Sequence, residues 1–177
     1  MWPVLLLAGL ALGIVVGCSE RSIVYPGDGT PVAIDLDGPA FDAYRDDVIA
    51  GVEKAIAIWT PAGPRFQIGG KADYRIRMHI GATGFCGSDA EGCYEPSTGE
   101  ISIGAGIGGT GTFVGVVAHE LGHAIGLHHV AVGIMQPSGG DVLFKTLQSD
   151  DIVEYQRVWG KSRSGLDAFA VDTKGRS

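Results

Sequence analysis

One stretch, His119-Glu120-Leu121-Gly122-His123-Ala124-Ile125-Gly126-Leu127-His128-His129, constrains this chain more than any other. His119 and His123 are four residues apart, so on a helix they stand on one face, one turn above the other. Two imidazoles so placed can reach a single ion at about 2.0–2.1 Å, the usual zinc–nitrogen distance. Gly126 lets the chain leave the helix through a left-handed conformation that other residues resist. That turn swings His129 back as a third ligand. Three protein nitrogens leave the fourth tetrahedral position to water, which separates a catalytic zinc site from a closed structural one. Glu120, beside the first ligand, is placed to take a proton from that water. The competing reading is an amphipathic helix whose histidines sit in the core or at its edge.

Met135 follows six residues after His129, within Gly133-Ile134-Met135-Gln136-Pro137, and a methionine turn is what the extended zinc motif leads one to expect. On these residues the chain resembles the metzincin metalloproteases, and within them the matrixins. Ser149 to Gly160 (SDDIVEYQRVWG) is similar to the final matrixin helix. The resemblance runs from Pro31 to Gly160 and is strongest from Val117 onward. It implies an α+β fold: a twisted mixed sheet of about five strands, an active-site helix, a long backing helix and a C-terminal helix. It implies one catalytic zinc held by His119, His123 and His129, Glu120 as general base and then acid, and Met135 as the turn beneath the metal. It also implies that Asp150 and Asp151 hydrogen-bond into the lower part of the site and hold the methionine turn. His128 is off register and is excluded from the ligand set.

The activity implied is zinc-dependent endopeptidase chemistry on a protein or peptide substrate, with a zinc-bound water activated by Glu120. The alternative is a non-catalytic zinc-binding or adhesion lipoprotein on the same scaffold; the intact Glu120 argues against it, because a binding module has no need of a base. Calcium has thin support: Ser88-Asp89-Ala90-Glu91 offers two acids in a loop, which is weak evidence.

The chain of 177 residues suits one domain with a real core. A net charge of −7 argues against a nucleic-acid partner, whose footprint is basic and clustered. A monomer is expected. Val4 to Gly17 is an apolar run with the length of a signal-peptide core, too short to span a bilayer comfortably. It ends in Val15-Val16-Gly17-Cys18, which resembles the bacterial lipoprotein signal, with Cys18 as the lipidated residue. Met1-Trp2-Pro3 carries no Lys or Arg, so an uncleaved membrane-associated segment is the alternative. Either way the chain is expected to be exported and held at a membrane, in the cell envelope or outside the cell. If Cys18 carries the lipid, Cys86 and Cys93 pair with each other in an oxidising space; two reduced, buried thiols are the alternative. The expected organisation is signal 1–17, tether 18–30, matrixin-like domain 31–160 and flexible tail 161–177.

Along the domain, Pro31 to Leu36 reads as a strand and Phe41 to Trp59 as one long amphipathic helix stopped by Pro61. Arg65–Gly69, Asp73–Ile80 and Glu100–Gly104 read as further strands. Tyr74, Ile76, Met78 and Ile80 share one face, opposite Arg75, Arg77 and His79. His79 falls outside the motif and is expected to be a partly exposed strand histidine. Gly81 to Pro96 reads as irregular. Gly106 to Gly111 matches G-x-G-x-x-G, but the helix it opens carries the zinc motif, and no acid-ended strand follows at the spacing a dinucleotide fold needs. Ser138 to Leu147 reads as a loop, and Ser149 as the N-cap of the last helix.

Overall fold

The computed structural model describes residues 29–81, 90–104, 110–137 and 146–160. The apolar run, Cys18, the tether to residue 28, Cys86, Ser88 and Asp89, residues 105–109, residues 138–145 and the tail lie outside the described residues. None of the described helices is long and apolar enough to cross a membrane.

Five strands form one mixed sheet: β1 (Pro31–Asp37), β2 (Arg65–Ile68), β3 (Tyr74–Ile80), β4 (Gly92–Glu95) and β5 (Glu100–Ile103). Their order is β2-β1-β3-β5-β4, and every neighbouring pair is parallel except β4 with β5. Side chains alternate across a strand, and β3 obeys this closely: Ile76, Met78 and Ile80 are buried, while Arg75 and Arg77 are exposed. On the outer face Arg75 bonds Asp35, Arg77 bonds Glu100, and His79 meets Asp37. Exposed pairs of this kind contribute about 0–1 kcal/mol each, so they mark the solvated face rather than hold the sheet. His79 is thus the half-exposed strand histidine the pattern suggested.

The inner face is covered by helices, which agrees with the α+β fold the resemblance implied. Ile34, Met78, Ile80, Ile101 and Ile103 join Val48, Val52, Ala55 and Trp59 of α2 and Val117 and Leu121 of α3 in one core. Here α1 is Pro39–Ala43, α2 Arg45–Trp59, α3 Thr110–Ala124 and α4 Ser149–Trp159.

Two elements differ from the sequence reading. The helix expected over Phe41–Trp59 is two helices, broken at Tyr44, whose backbone leaves the helical region at φ −133°. Periodicity misses this because the buried Phe41 and Val48 keep helical spacing across the break. The short α1 is wedged at the end of β3, where a Cβ on Gly81 would lie 2.6 Å from that of Ala40. The far end stands where the sequence placed it, with α2 stopping at Trp59 before Pro61. Pro61 sits at the start of a 3₁₀ turn, Thr60–Ala62, where a missing N–H costs nothing, and Gly63 at φ 119° closes that turn. Finally, Gly92–Glu95 is an edge strand, not irregular chain. All four of its residues are half-buried, so no alternation betrays it.

At α4 the N-cap is Gln148 and Ser149 is the first helical residue. The Gln148 N–H is taken by the Asp151 carboxylate at 2.8 Å.

Candidate metal centre

The first two histidines ride on α3, and packing fixes where that helix lies. α2 crosses it so closely that a Cβ on Gly51 would fall 2.6 Å from the Phe113 ring. Trp59 of α2 donates its indole N–H to the Ala118 carbonyl at 2.7 Å. On the same side, a Cβ on Gly122 would lie 2.2 Å from Met135 Sδ and 2.9 Å from the Trp59 ring. Leu121 and Gly122, the two unspecified positions of the motif, therefore do the packing. Leu121 fills the core, and Gly122 leaves room for Met135.

The chain leaves α3 through a Schellman turn. Gly126, at φ 84°, donates to the His123 carbonyl at 2.8 Å, and Leu127 donates to the Gly122 carbonyl at 3.0 Å. This brings His129 back beside the helix, as the glycine spacing suggested.

The three rings converge. His119 Nδ1–H donates to the Ile134 carbonyl at 2.7 Å, and His123 Nδ1–H donates to the Leu127 carbonyl at 2.9 Å. With the proton held on Nδ1, each Nε2 presents a lone pair. Nε2 of His123 lies 3.1 Å from that of His119 and 3.2 Å from that of His129. Lone pairs facing each other repel unless something positive lies between them. The edge of a tetrahedron whose arms are about 2.05 Å measures about 3.3 Å, so the donor set fits one zinc ion. Among the described residues these three form the group of metal-ligating side chains that comes together. Burial, and after it the neighbouring His119, pushes His123 down to about 4; burial also lowers His119 and His129. The rings are therefore neutral at pH 7, as metal ligation requires.

Glu120 follows directly on His119 and is 5% exposed, packed against β4. A Cβ on Gly92 would lie 3.1 Å from its Oε1. Burial pushes its carboxyl up to about 8, with a hydrogen bond from the Tyr94 backbone pulling the other way.

Met135 is fully buried against Gly122, and Val130 N–H donates to its carbonyl at 2.9 Å. The turn carrying it is held from α4. Asp151, 0% exposed, accepts from the N–H groups of Ile134 and Met135, both at 2.9 Å, and Asp150 accepts from Val132 at 3.3 Å. Asp151 reaches the methionine turn, as the resemblance implied, and Asp150 reaches the residue just before it. Gly133 at φ 146° passes so close that a Cβ there would meet Asp151 at 2.4 Å.

His128 points away from the cluster and is exposed. Its Nδ1 faces both Arg157 Nη2 at 2.6 Å and Glu154 Oε1 at 3.1 Å. The His128 backbone N–H donates to Glu154 Oε1 at 3.0 Å, and Arg157 Nε donates to Glu154 Oε2 at 2.6 Å. The Arg157 guanidinium, followed by the His128 N–H, holds the Glu154 carboxyl at about 2 against an ordinary 4.5. A carboxyl lowered on folding adds stability above its unfolded value and loses it as pH falls toward the folded value. The metal-free chain is therefore expected to lose about 1–2 kcal/mol from this group between roughly pH 4.5 and 2, after allowance for the exposed Arg157. Urea titrations at pH 5 and pH 3 should show a steeper fall for the wild type than for Glu154→Gln; parallel falls would remove the claim.

Sequence reasoning missed Glu154, Arg157, Trp59 and the Trp159 indole, which donates to the Ile125 carbonyl at 3.1 Å. The i,i+3 spacing of Glu154 and Arg157 signalled an ion pair, but not what it faces. Cys93, on β4, is disulfide-bonded; the expected partner, Cys86, lies outside the described residues.

No family model matches the chain. It is 31% identical to mouse (Mus musculus) stromelysin-1 over 159 residues, covering 77% of this chain and 33% of that protein. It is 34% identical to rabbit (Oryctolagus cuniculus) macrophage metalloelastase over 142 residues, covering 67% of this chain and 30% of that protein. Rat (Rattus norvegicus) stromelysin-1 is 30% identical over 159 residues, with 77% and 33% covered. The chain thus spans about a third of the length of the curated relatives it matches.

Proposed function

We propose that this matrixin-like metzincin is a zinc-dependent endopeptidase in which His119, His123 and His129 hold one zinc and Glu120 is the general base, then the acid. The observation that carries the reading is the convergence of three imidazole Nε2 atoms, next to a buried acid. Zinc held there supplies Lewis acidity, polarising a peptide carbonyl and lowering the pKa of a water toward 7. Glu120 takes the proton from the attacking water on its carboxylate and passes it to the departing amine nitrogen. Burial alone keeps Glu120 protonated at neutral pH; a dication in the neighbouring histidine cluster acts in the opposite direction. The Ile134 and Leu127 carbonyls keep His119 and His123 in the tautomer that ligation needs. Met135 forms the floor. The name of one relative, metalloelastase, supports metal dependence and a protein substrate.

The test uses the purified full chain and a mixed peptide library read by mass spectrometry. About one zinc per chain is expected, with cleavage products that vanish when a chelator is added. His123→Ala should lose most of the zinc, because two remaining imidazoles make a poor tetrahedral site. Full zinc retention by that variant would remove the ligand assignment. A wild type that carries zinc and cuts nothing would put the non-catalytic zinc-binding or adhesion reading ahead.

We further propose that the chain is exported and tethered through Cys18 or an uncleaved apolar segment, that Cys86 is the partner of Cys93, and that the chain is monomeric. Mass spectrometry of non-reduced peptides from the native envelope reads the first two together. A lipid-free Cys18 thiol leaves the anchor or soluble-secreted reading, and a free Cys86 thiol removes the pair.

A further inference from the structure

We propose that Glu154, clamped by Arg157, is a positioning residue for the third metal ligand: its buried carboxylate holds the peptide that leads into His129. The proposal rests on the zinc reading above. It concerns how that site is kept in shape.

The three histidines are not supported alike. His119 and His123 stand on a helix, and each ring is tied to a backbone carbonyl. His129 lies in neither helix nor strand and is exposed. Among the described residues, its ring has no hydrogen bond besides the contact with His123. Its placement therefore depends on the backbone that delivers it. That backbone is held at Leu127, through the Gly122 carbonyl and the His123 ring, and at His128, through Glu154.

Glu154 is 8% exposed, and both its oxygens are occupied. Arg157 donates Nε to Oε2 and Nη2 to Oε1, each at 2.6 Å; Oε1 also accepts the His128 N–H at 3.0 Å and meets the His128 ring Nδ1 at 3.1 Å. An ion pair with one exposed partner is a weak account of stability, because solvent screens it. It does supply direction: a two-pronged guanidinium fixes the carboxylate plane, and the carboxylate fixes the His128 peptide. Glu154 lies three residues after Asp151, on the same side of α4, so it shares a face with the acid that holds Ile134 and Met135. Trp159 adds the Ile125 carbonyl. One face of α4 thus sets both the ligand-bearing turn and the turn beneath it.

The experiment measures zinc affinity of the purified full chain by chelator competition, the visible spectrum of the cobalt-substituted chain, and unfolding of the metal-free chain. Removing an outer partner of a metal site typically costs 10–100-fold in affinity, and Glu154→Ala should fall in that range and shift the cobalt bands. Glu154→Gln keeps an acceptor for the His128 N–H and should recover part of the loss. His128→Ala keeps the backbone N–H and removes only the ring's contacts with Glu154 and Arg157, so it should lose less zinc affinity than Glu154→Ala. A purely structural role for Glu154 would lower the metal-free unfolding temperature while leaving zinc affinity and the cobalt spectrum of the folded chain alone, and that result would overturn the proposal. So would a loss in His128→Ala equal to that in Glu154→Ala. If Glu154→Ala does not fold, Glu154→Gln decides: affinity and cobalt bands identical to wild type overturn the proposal, and weakened binding in the folded variant supports it. A wild type that takes up no zinc would fail the zinc reading itself, and this proposal with it.

Discussion

Glu120→Gln is expected to lower kcat by about 10²–10⁴-fold while leaving zinc content and fold intact. The substitution keeps the volume of a side chain packed between α3 and β4, so no cavity opens beside Gly92 and Val116. What it removes is the one oxygen basic enough to take a proton. Glu120 is not among the three converging donors, so zinc analysis should return the wild-type stoichiometry. A variant that cuts as fast as wild type would point to another base or to a contaminating protease. A variant that loses zinc would mean that Glu120 acts as a ligand, contrary to the mechanism proposed.

The second large effect is on stability. Asp151 has no solvent exposure and accepts three backbone N–H groups: Gln148, Ile134 and Met135. Asp151→Ala leaves all three buried or half-buried without a partner, at about 1–3 kcal/mol each. Not every donor will stay unsatisfied once the turn relaxes, so a net loss of about 3–5 kcal/mol is expected, a large part of a typical 5–15 kcal/mol total. The unfolding temperature should fall by roughly 10 °C, and zinc affinity should fall with it, because the Ile134 carbonyl that orients His119 belongs to the same turn. If the acid merely favoured the helix N-terminus, the loss would be about 0.3–1 kcal/mol with normal zinc affinity. Asp150→Ala is the internal comparison: Asp150 makes one longer bond, to Val132 at 3.3 Å, and the smaller effect is expected there.

The meeting of the three histidines was legible in the sequence because its information is local. Spacings of four and six place His119, His123 and His129 whatever the rest of the chain does, given a helix and a glycine at Gly126. Strand β3 was legible for the same reason, through a period of two. The edge strand β4 was not, because Gly92-Cys93-Tyr94-Glu95 is half-buried on both faces and shows no period. The break at Tyr44 was missed for the opposite reason: the buried Phe41 and Val48 keep the periodicity intact across it, and only the Tyr44 backbone at φ −133° shows the interruption.

By itself, then, the sequence determined which residues can carry the chemistry: three imidazoles at helical and post-turn spacing, a carboxylate beside the first, and a methionine six residues after the last. Those are statements about the nearest dozen residues. Only the tertiary structure decided what holds them. Gly122 is required by a sulfur and an indole that arrive from positions 135 and 59, and Glu120 is buried by a strand some 25 residues earlier in the chain. The turn bearing His129 is pinned by Glu154, 26 residues from the backbone group it accepts. Side-chain spacing encodes which atoms can meet within one or two helical turns. The packing of α2, β4 and α4 around α3 depends on the whole core, and no local pattern carries it.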